Sequence, residues 1–191
     1  MKKINFNDRY GLTDAVIEWR KTMTRRLIPD EFFGLTWDTR GNTLVYENEY
    51  GDFIDVRHSK YTRYKLGEVV AVSQCYNDVV QEFTDLAFVP GSTNKMFVRA
   101  DLMPHQIRIT GIRCERLQSI SHDDCFREGI IESWYESTDT TTYGFVDEKK
   151  GTAVEFDTPR KAFAALIDKV SGRGTWDRNP WVVVYEFELL K

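Results

Sequence analysis

The sequence predicts a mixed α+β fold, a small mixed β-barrel with short flanking helices. Three observations predict it. Short runs rich in β-branched and aromatic residues dominate, giving about five to seven strands against about three short helices. Those helices are scattered among the strands with no regular strand–helix–strand alternation, which argues against a doubly wound parallel sheet. Finally, 191 residues that are 41% apolar and 14% aromatic can bury a core as one domain, 1–191, without crosslinks.

The elements follow in chain order. Leu12 to Trp19 is a short helix, with Thr13 or Asp14 as cap and Leu12, Ala15, Val16 and Trp19 at helical spacing. A basic segment comes next and reads as the helix end followed by an extended stretch closed by Pro29. Thr43 to Arg57 is a β-hairpin turning at Glu49-Tyr50-Gly51-Asp52, where Gly51 can take positive φ. Val69 to Val72 is a short apolar run, the mark of a buried strand. Residues 77–94 carry little pattern, and Met96 to Arg99 is a strand candidate. Gln106 to Leu117 alternates, with Gly111 placed for a bulge. Ser121 opens a short helix with Asp123 and Asp124 in its first turn, where negative charge is favoured. Thr158-Pro159 starts the clearest helix, with Phe163, Leu166, Ile167 and Val170 as its apolar stripe and Ser171-Gly172 as its stop. Val182 to Leu189 is the final strand.

Charge is polarised along the chain although the net value is only −4. Arg20, Lys21, Arg25 and Arg26 stand together with no acid between them, and Arg57, Lys60, Arg63 and Lys65 form a second such run. Residues 122–157 hold ten acids against three bases, so 132–157 reads as an exposed acidic insertion. Cys75, Cys114 and Cys125 lie far apart with no ligand spacing, which predicts neither a metal site nor a disulfide framework. The start turns polar within a few residues and no apolar run reaches membrane-spanning length, so the expected setting is cytoplasmic, without membrane attachment. No cofactor is expected.

Four blocks, in order, resemble the ASCH superfamily, whose fold is similar to the PUA RNA-binding domain. The first is Trp19-Arg20-Lys21-Thr22-Met23-Thr24-Arg25-Arg26, and the second is Tyr64-Lys65-Leu66-Gly67-Glu68 leading into Val69 to Val72. The third runs from Ile107 to Glu128-Gly129-Ile130. The fourth joins Phe163 to Ile167 with Trp176, Asn179-Pro180-Trp181 and Val182 to Glu188. The nearest likeness is to prophage-type and bacterial members, and it covers most of the chain.

The resemblance implies a PUA-like barrel with RNA or a modified nucleoside or nucleotide held in a basic cleft. Arg20, Lys21, Thr24, Arg25, Arg26 and Gln74 would hold the ligand, with Tyr76, Trp176 and Asn179 lining the cleft for stacking and hydrogen bonding. Backbone phosphates would meet the Arg/Lys cluster and make binding steeply salt-dependent. It also implies an amidohydrolase acting on N4-acylated cytidine, with Thr24 as nucleophile and Lys21 as base. A lysine desolvated among other cations loses its proton more readily and can activate a hydroxyl. Gln74 stands where the family carries its glutamate, and an amide can hold a pyrimidine edge but cannot move a proton. A third expectation is a phage-type interaction module that meets a protein partner through the acidic insertion, leaving the barrel folded when the insertion is removed.

Overall fold

The structure, a computed structural model, describes residues 1–29, 34–59, 62–79 and 89–190. It is a mixed α+β chain dominated by sheets, with a few short helices. In chain order the first half contains β1 (Lys2–Ile4), α1 (Leu12–Ile17), β2 (Met23–Leu27), β3 (Thr36–Asp38), β4 (Thr43–Glu47), β5 (Phe53–Asp55), β6 (Val69–Val72) and α2 (Tyr76–Val79). The second half contains β7 (Gln106–Arg116), α3 (His122–Arg127), β8 (Ile131–Tyr135), β9 (Thr140–Asp147), β10 (Thr152–Phe156), α4 (Pro159–Ser171), α5 (Thr175–Arg178) and β11 (Trp181–Leu190).

The main sheet has the order β1-β6-β7-β11-β2. Its spine is the long antiparallel pair β7·β11, where the register slips between Glu186 and Phe187. The slip sits opposite Gly111, whose missing side chain leaves room for Glu186; a Cβ there would meet that side chain at 3.3 Å. No closed barrel is found among the described residues. Among the described residues β1 and β2 remain as edges, and a side chain rather than a ladder links them: Arg26 of β2 donates to the carbonyl of Asn5, just past β1, at 2.7 Å. Ile4, Phe6, Val72, Ile107, Ile109, Tyr185 and Phe187 of these strands and their ends belong to the main hydrophobic core.

α4 closes one side of this core. Thr158 caps it by accepting from the Lys161 amide, Pro159 occupies the first turn, and Gly172, at φ +104°, ends it. Phe163, Leu166 and Ile167 are buried, at roughly 1.5–3 kcal/mol for each such side chain. α1 is shorter than its apolar spacing suggests. It ends at Ile17, its N-cap is Gly11 rather than Thr13 or Asp14, and Trp19 turns outward at φ +64°.

Three differences from the sequence pattern have local causes. The hairpin at 43–57 gains a third strand, β3, on the far side of β4. Around Met96 the backbone makes a 3-10 turn instead of a strand, because the Asn94 side chain accepts from the Met96 amide and offers the chain a local alternative to a ladder. Half of the unpatterned stretch 77–94, residues 80–88, lies outside the described residues.

The stretch read as an exposed acidic insertion, 132–157, lies in a folded three-stranded meander, β10-β9-β8. Phe145 anchors it at 2% exposure, meeting Tyr10 edge-on at 5.6 Å. Asp147 is buried beside it and accepts two hydrogen bonds from Arg9, at 2.9 and 3.1 Å. Gly144 is obligatory here, since a Cβ would lie 2.2 Å from the Val154 carbonyl oxygen across the pair β9·β10. No helix among the described residues is long and apolar enough to cross a membrane.

Candidate functional site

The basic segment does not form a charged surface. After Trp19 the chain folds back so that the Lys21 amide reaches the Ala15 carbonyl at 2.7 Å, and the Thr22 amide reaches that of Arg127 at 3.0 Å. This turn drives the Lys21 side chain inward, to 2% exposure. β2 then adds to β11 with Thr24 opposite Tyr185 and Arg25 opposite Val184. Thr24 and Arg25 are each 5% exposed, and Arg26 is half-buried.

These side chains meet at a cavity of about 270 Å³ between β2, the chain after β1, and α4. Lys21, Thr24, Arg25 and Arg26 line it from the β2 side, and Phe6 and Leu12 from the N-terminal side. Phe163, Leu166, Ile167 and Val170 line it from α4. Asn7, Ser171 and Glu128 complete the polar wall, and Glu128 is an acid that the sequence pattern does not single out.

Glu128 is 5% exposed and takes both buried cations. Its Oε2 accepts from Lys21 Nζ at 2.6 Å, its backbone carbonyl accepts from the same ammonium at 2.8 Å, and its Oε1 accepts from Arg25 at 3.0 Å. The position depends on Gly129, which follows α3 at φ +103°. A Cβ there would press on Leu12 at 3.2 Å and touch the Lys21 stem at 3.7 Å.

Arg25 continues the network outward to Glu115 and Asp124, at 2.6 and 2.8 Å. Arg113 bridges Glu115, Asp124 and Glu186, and Arg127 closes it on Asp124 and Glu186. Four cations and four carboxylates therefore neutralise one another. Burial pushes the Lys21 ammonium pKa down; Glu128 opposes that shift, while Arg26 and Arg25 add to it. Burial would lower Arg25 as well, but Glu128 and Glu115 outweigh it and its pKa is raised.

Arg26 is different. It has no carboxylate partner among the described residues, donates to the Asn5 carbonyl, and lies 5.7 Å over the Phe6 ring. Burial lowers its pKa, although a guanidinium keeps its charge at neutral pH. The Thr24 hydroxyl makes no hydrogen bond among the described residues, so it is available to whatever enters.

The other expected site residues lie elsewhere. Arg20 is exposed and pairs with its near neighbour Glu18 at 2.5 Å. Gln74 is separated from β2 by β7 and β11 in the sheet order, and its Oε1 meets His105 Nδ1 at 2.7 Å. Tyr76 is buried in a second apolar cluster with Ala71, Val98 and Met103, where its hydroxyl accepts from the Arg99 amide. Trp176 packs edge-on behind Phe163 at 6.1 Å and carries the Arg160 guanidinium at 4.9 Å. Asn179 adopts a left-handed turn and accepts from the Gln118 amide at 2.8 Å, a structural bond that starts β11. A shared pocket joining Lys21 and Thr24 to Gln74 is therefore absent from the described residues.

The signal that could have found Glu128 is electrostatic. Buried cations on an edge strand need buried acceptors, and Glu128 follows a short helix whose last turn carries its hydrogen bonds. Among the described residues no three His, Cys, Asp or Glu side chains group to hold a metal ion. No family model matches the chain, no curated protein matches it, and no solved structure matches it.

Proposed function

We propose that the chain binds a nucleoside or nucleotide, one base at a time, in the cavity beside β2, on a curled sheet of the PUA-like barrel kind. The convergence of Lys21, Thr24, Arg25 and Arg26 on one cavity carries this reading. A cavity of about 270 Å³ suits one base or nucleoside, not a folded RNA. Phe6 and Phe163 supply apolar wall, the Thr24 hydroxyl donates or accepts, Glu128 accepts, and Arg26 donates to a carbonyl or phosphate oxygen.

The neutralised network changes the expected salt dependence. Lys21 and Arg25 are committed to carboxylates, so only Arg26 is left to meet a phosphate. The dependence of affinity on salt is then that of about one charge contact, shallow compared with the steep response expected of a four-cation patch. The test is a calorimetric titration with cytidine 5′-monophosphate. Arg26→Ala weakens binding about tenfold and Thr24→Val by a smaller factor. Equal affinities in parent and both variants would refute the reading.

One observation favours a second reading, the amidohydrolase. Glu128 places a carboxylate 2.6 Å from Lys21 in the cavity that Thr24 lines, a role Gln74 cannot fill. Lys21 would first pass a proton to Glu128; Thr24 Oγ1 would then add to an acyl carbonyl as its own proton passes to the freed Lys21 amine, the amine product would leave with that proton, and water would hydrolyse the threonyl ester. Incubation with N4-acetylcytidine decides it. Release of cytidine that is lost in Thr24→Val supports the hydrolase, and none from the parent protein removes it.

A further inference from the structure

The meander presents an edge that folded proteins ordinarily disguise. β8 is the outer strand of the order β10-β9-β8, and among the described residues nothing pairs with its far side. It carries no proline and no lysine, and its ladder with β9 runs without a bulge over all five residues. The face shared with buried Phe145 includes Tyr143, Glu132 and Trp134, as the cross-strand pairs Glu132↔Tyr143 and Trp134↔Thr141 require. The strand extends past the core, leaving Trp134 61% exposed on a face that is apolar where it is covered.

Beneath that overhang α3 contributes His122 and Phe126, which form an aromatic cluster with Tyr143 at ring separations of 5.3 to 6.2 Å. The rim is acidic. Glu132, Glu136 and Asp139 make no ion pair among the described residues, and Asp123 stands exposed beside His122. An aromatic shelf with an acidic border, continuous with an open row of backbone donors and acceptors, suits one kind of occupant.

We propose that β8 is a docking edge for an extended basic segment of a partner protein. The segment would add as a fourth strand, with its arginine or lysine side chains over Trp134 and beside Glu132. Charge selects this occupant over a second copy of the chain. Two β8 edges paired about a twofold axis at Trp134, the exposed aromatic, would set Glu132 of one copy opposite Glu136 of the other.

The test titrates the full chain with a short synthetic peptide of alternating valine and arginine, following tryptophan fluorescence. Saturable binding is expected, lost when glutamate replaces arginine and lost when alternate peptide nitrogens are methylated. Trp134→Ala weakens it roughly tenfold, the loss of one aromatic anchor. Glu132→Lys combined with Glu136→Lys transfers the preference to the glutamate peptide. All three substituted positions are exposed, so the variants remain folded. The proposal is overturned if methylation leaves binding unchanged, since that marks charge attraction without strand addition. It is also overturned if Trp134→Ala instead dissolves a homodimer, or if neither peptide binds.

Discussion

At the scale of single residues, the decisive fact is that Lys21 and Arg25 are buried and neutralised. Removing one member of such a pair leaves a charge largely withdrawn from water and without its partner. Lys21→Met is expected to lower unfolding stability by about 3 kcal/mol, softened by the Arg25 contact that Glu128 keeps. Adding Glu128→Leu to that variant restores much of the loss, and chemical denaturation of the single and double variants measures the coupling. The pH dependence has a defined sign. Lys21 has a lowered pKa in the folded state, so unfolding takes up a proton, and its share of stability rises as pH climbs from the folded pKa toward the ordinary lysine value. The buried thiols work the other way. Burial raises Cys114 to about 12 and Cys125 to about 11, so stability falls as pH rises through the ordinary thiol range. Stability curves of the parent, Lys21→Met and a Cys114→Ala, Cys125→Ala variant separate the two contributions. The sequence displays Lys21, Thr24 and Arg26 plainly, because four cations without an acid stand out in any local window. It hides Glu128, because an acid in an acidic stretch looks like solvated surface until the buried cations are known to need it.

At the scale of elements, the meander β8-β9-β10 departs furthest from its sequence pattern. Threonines and acids on its outer face mask the alternation of Tyr143 with Phe145 and of Val154 with Phe156. Phe145→Ala is expected to cost about 3–5 kcal/mol, the value for a large side chain in a packed core, whereas an appended loop would cost nothing. Deleting 132–157 removes Phe145 from the core and Asp147 from Arg9, so it unfolds the chain instead of leaving an intact barrel; circular dichroism of the deletion reads this directly. In contrast, α4 is legible in its bounds and in three of its four stripe residues; Val170, the last of the stripe, is 36% exposed. Its Thr158 cap, Pro159, four-residue apolar spacing and Gly172 stop are all local signals, and local signals survive without knowledge of the fold. Gln74 was misplaced for the opposite reason. Its position depends on sheet order, which puts β7 and β11 between β6 and β2, and no local pattern encodes that order.

At the scale of the whole molecule, the candidate site lies in the seam between the two edge strands of the main sheet. Arg26 spans from β2 to Asn5, just past β1, and the cavity is lined from both sides of that seam. The sequence conveyed the mixture of strands and helices through periodicity. The open edges were not legible, because closure depends on register and curl that arise from long-range pairing. The seam makes one measurement most direct: an amide-resolved NMR titration of the labelled chain with cytidine 5′-monophosphate. The predicted result is saturable shifts concentrated at 21–27, at Glu128 and along the inner face of α4, with the same shifts reduced in Arg26→Ala. Shifts confined to other surfaces, or no saturable shifts at any concentration, would contradict a nucleotide site at this seam.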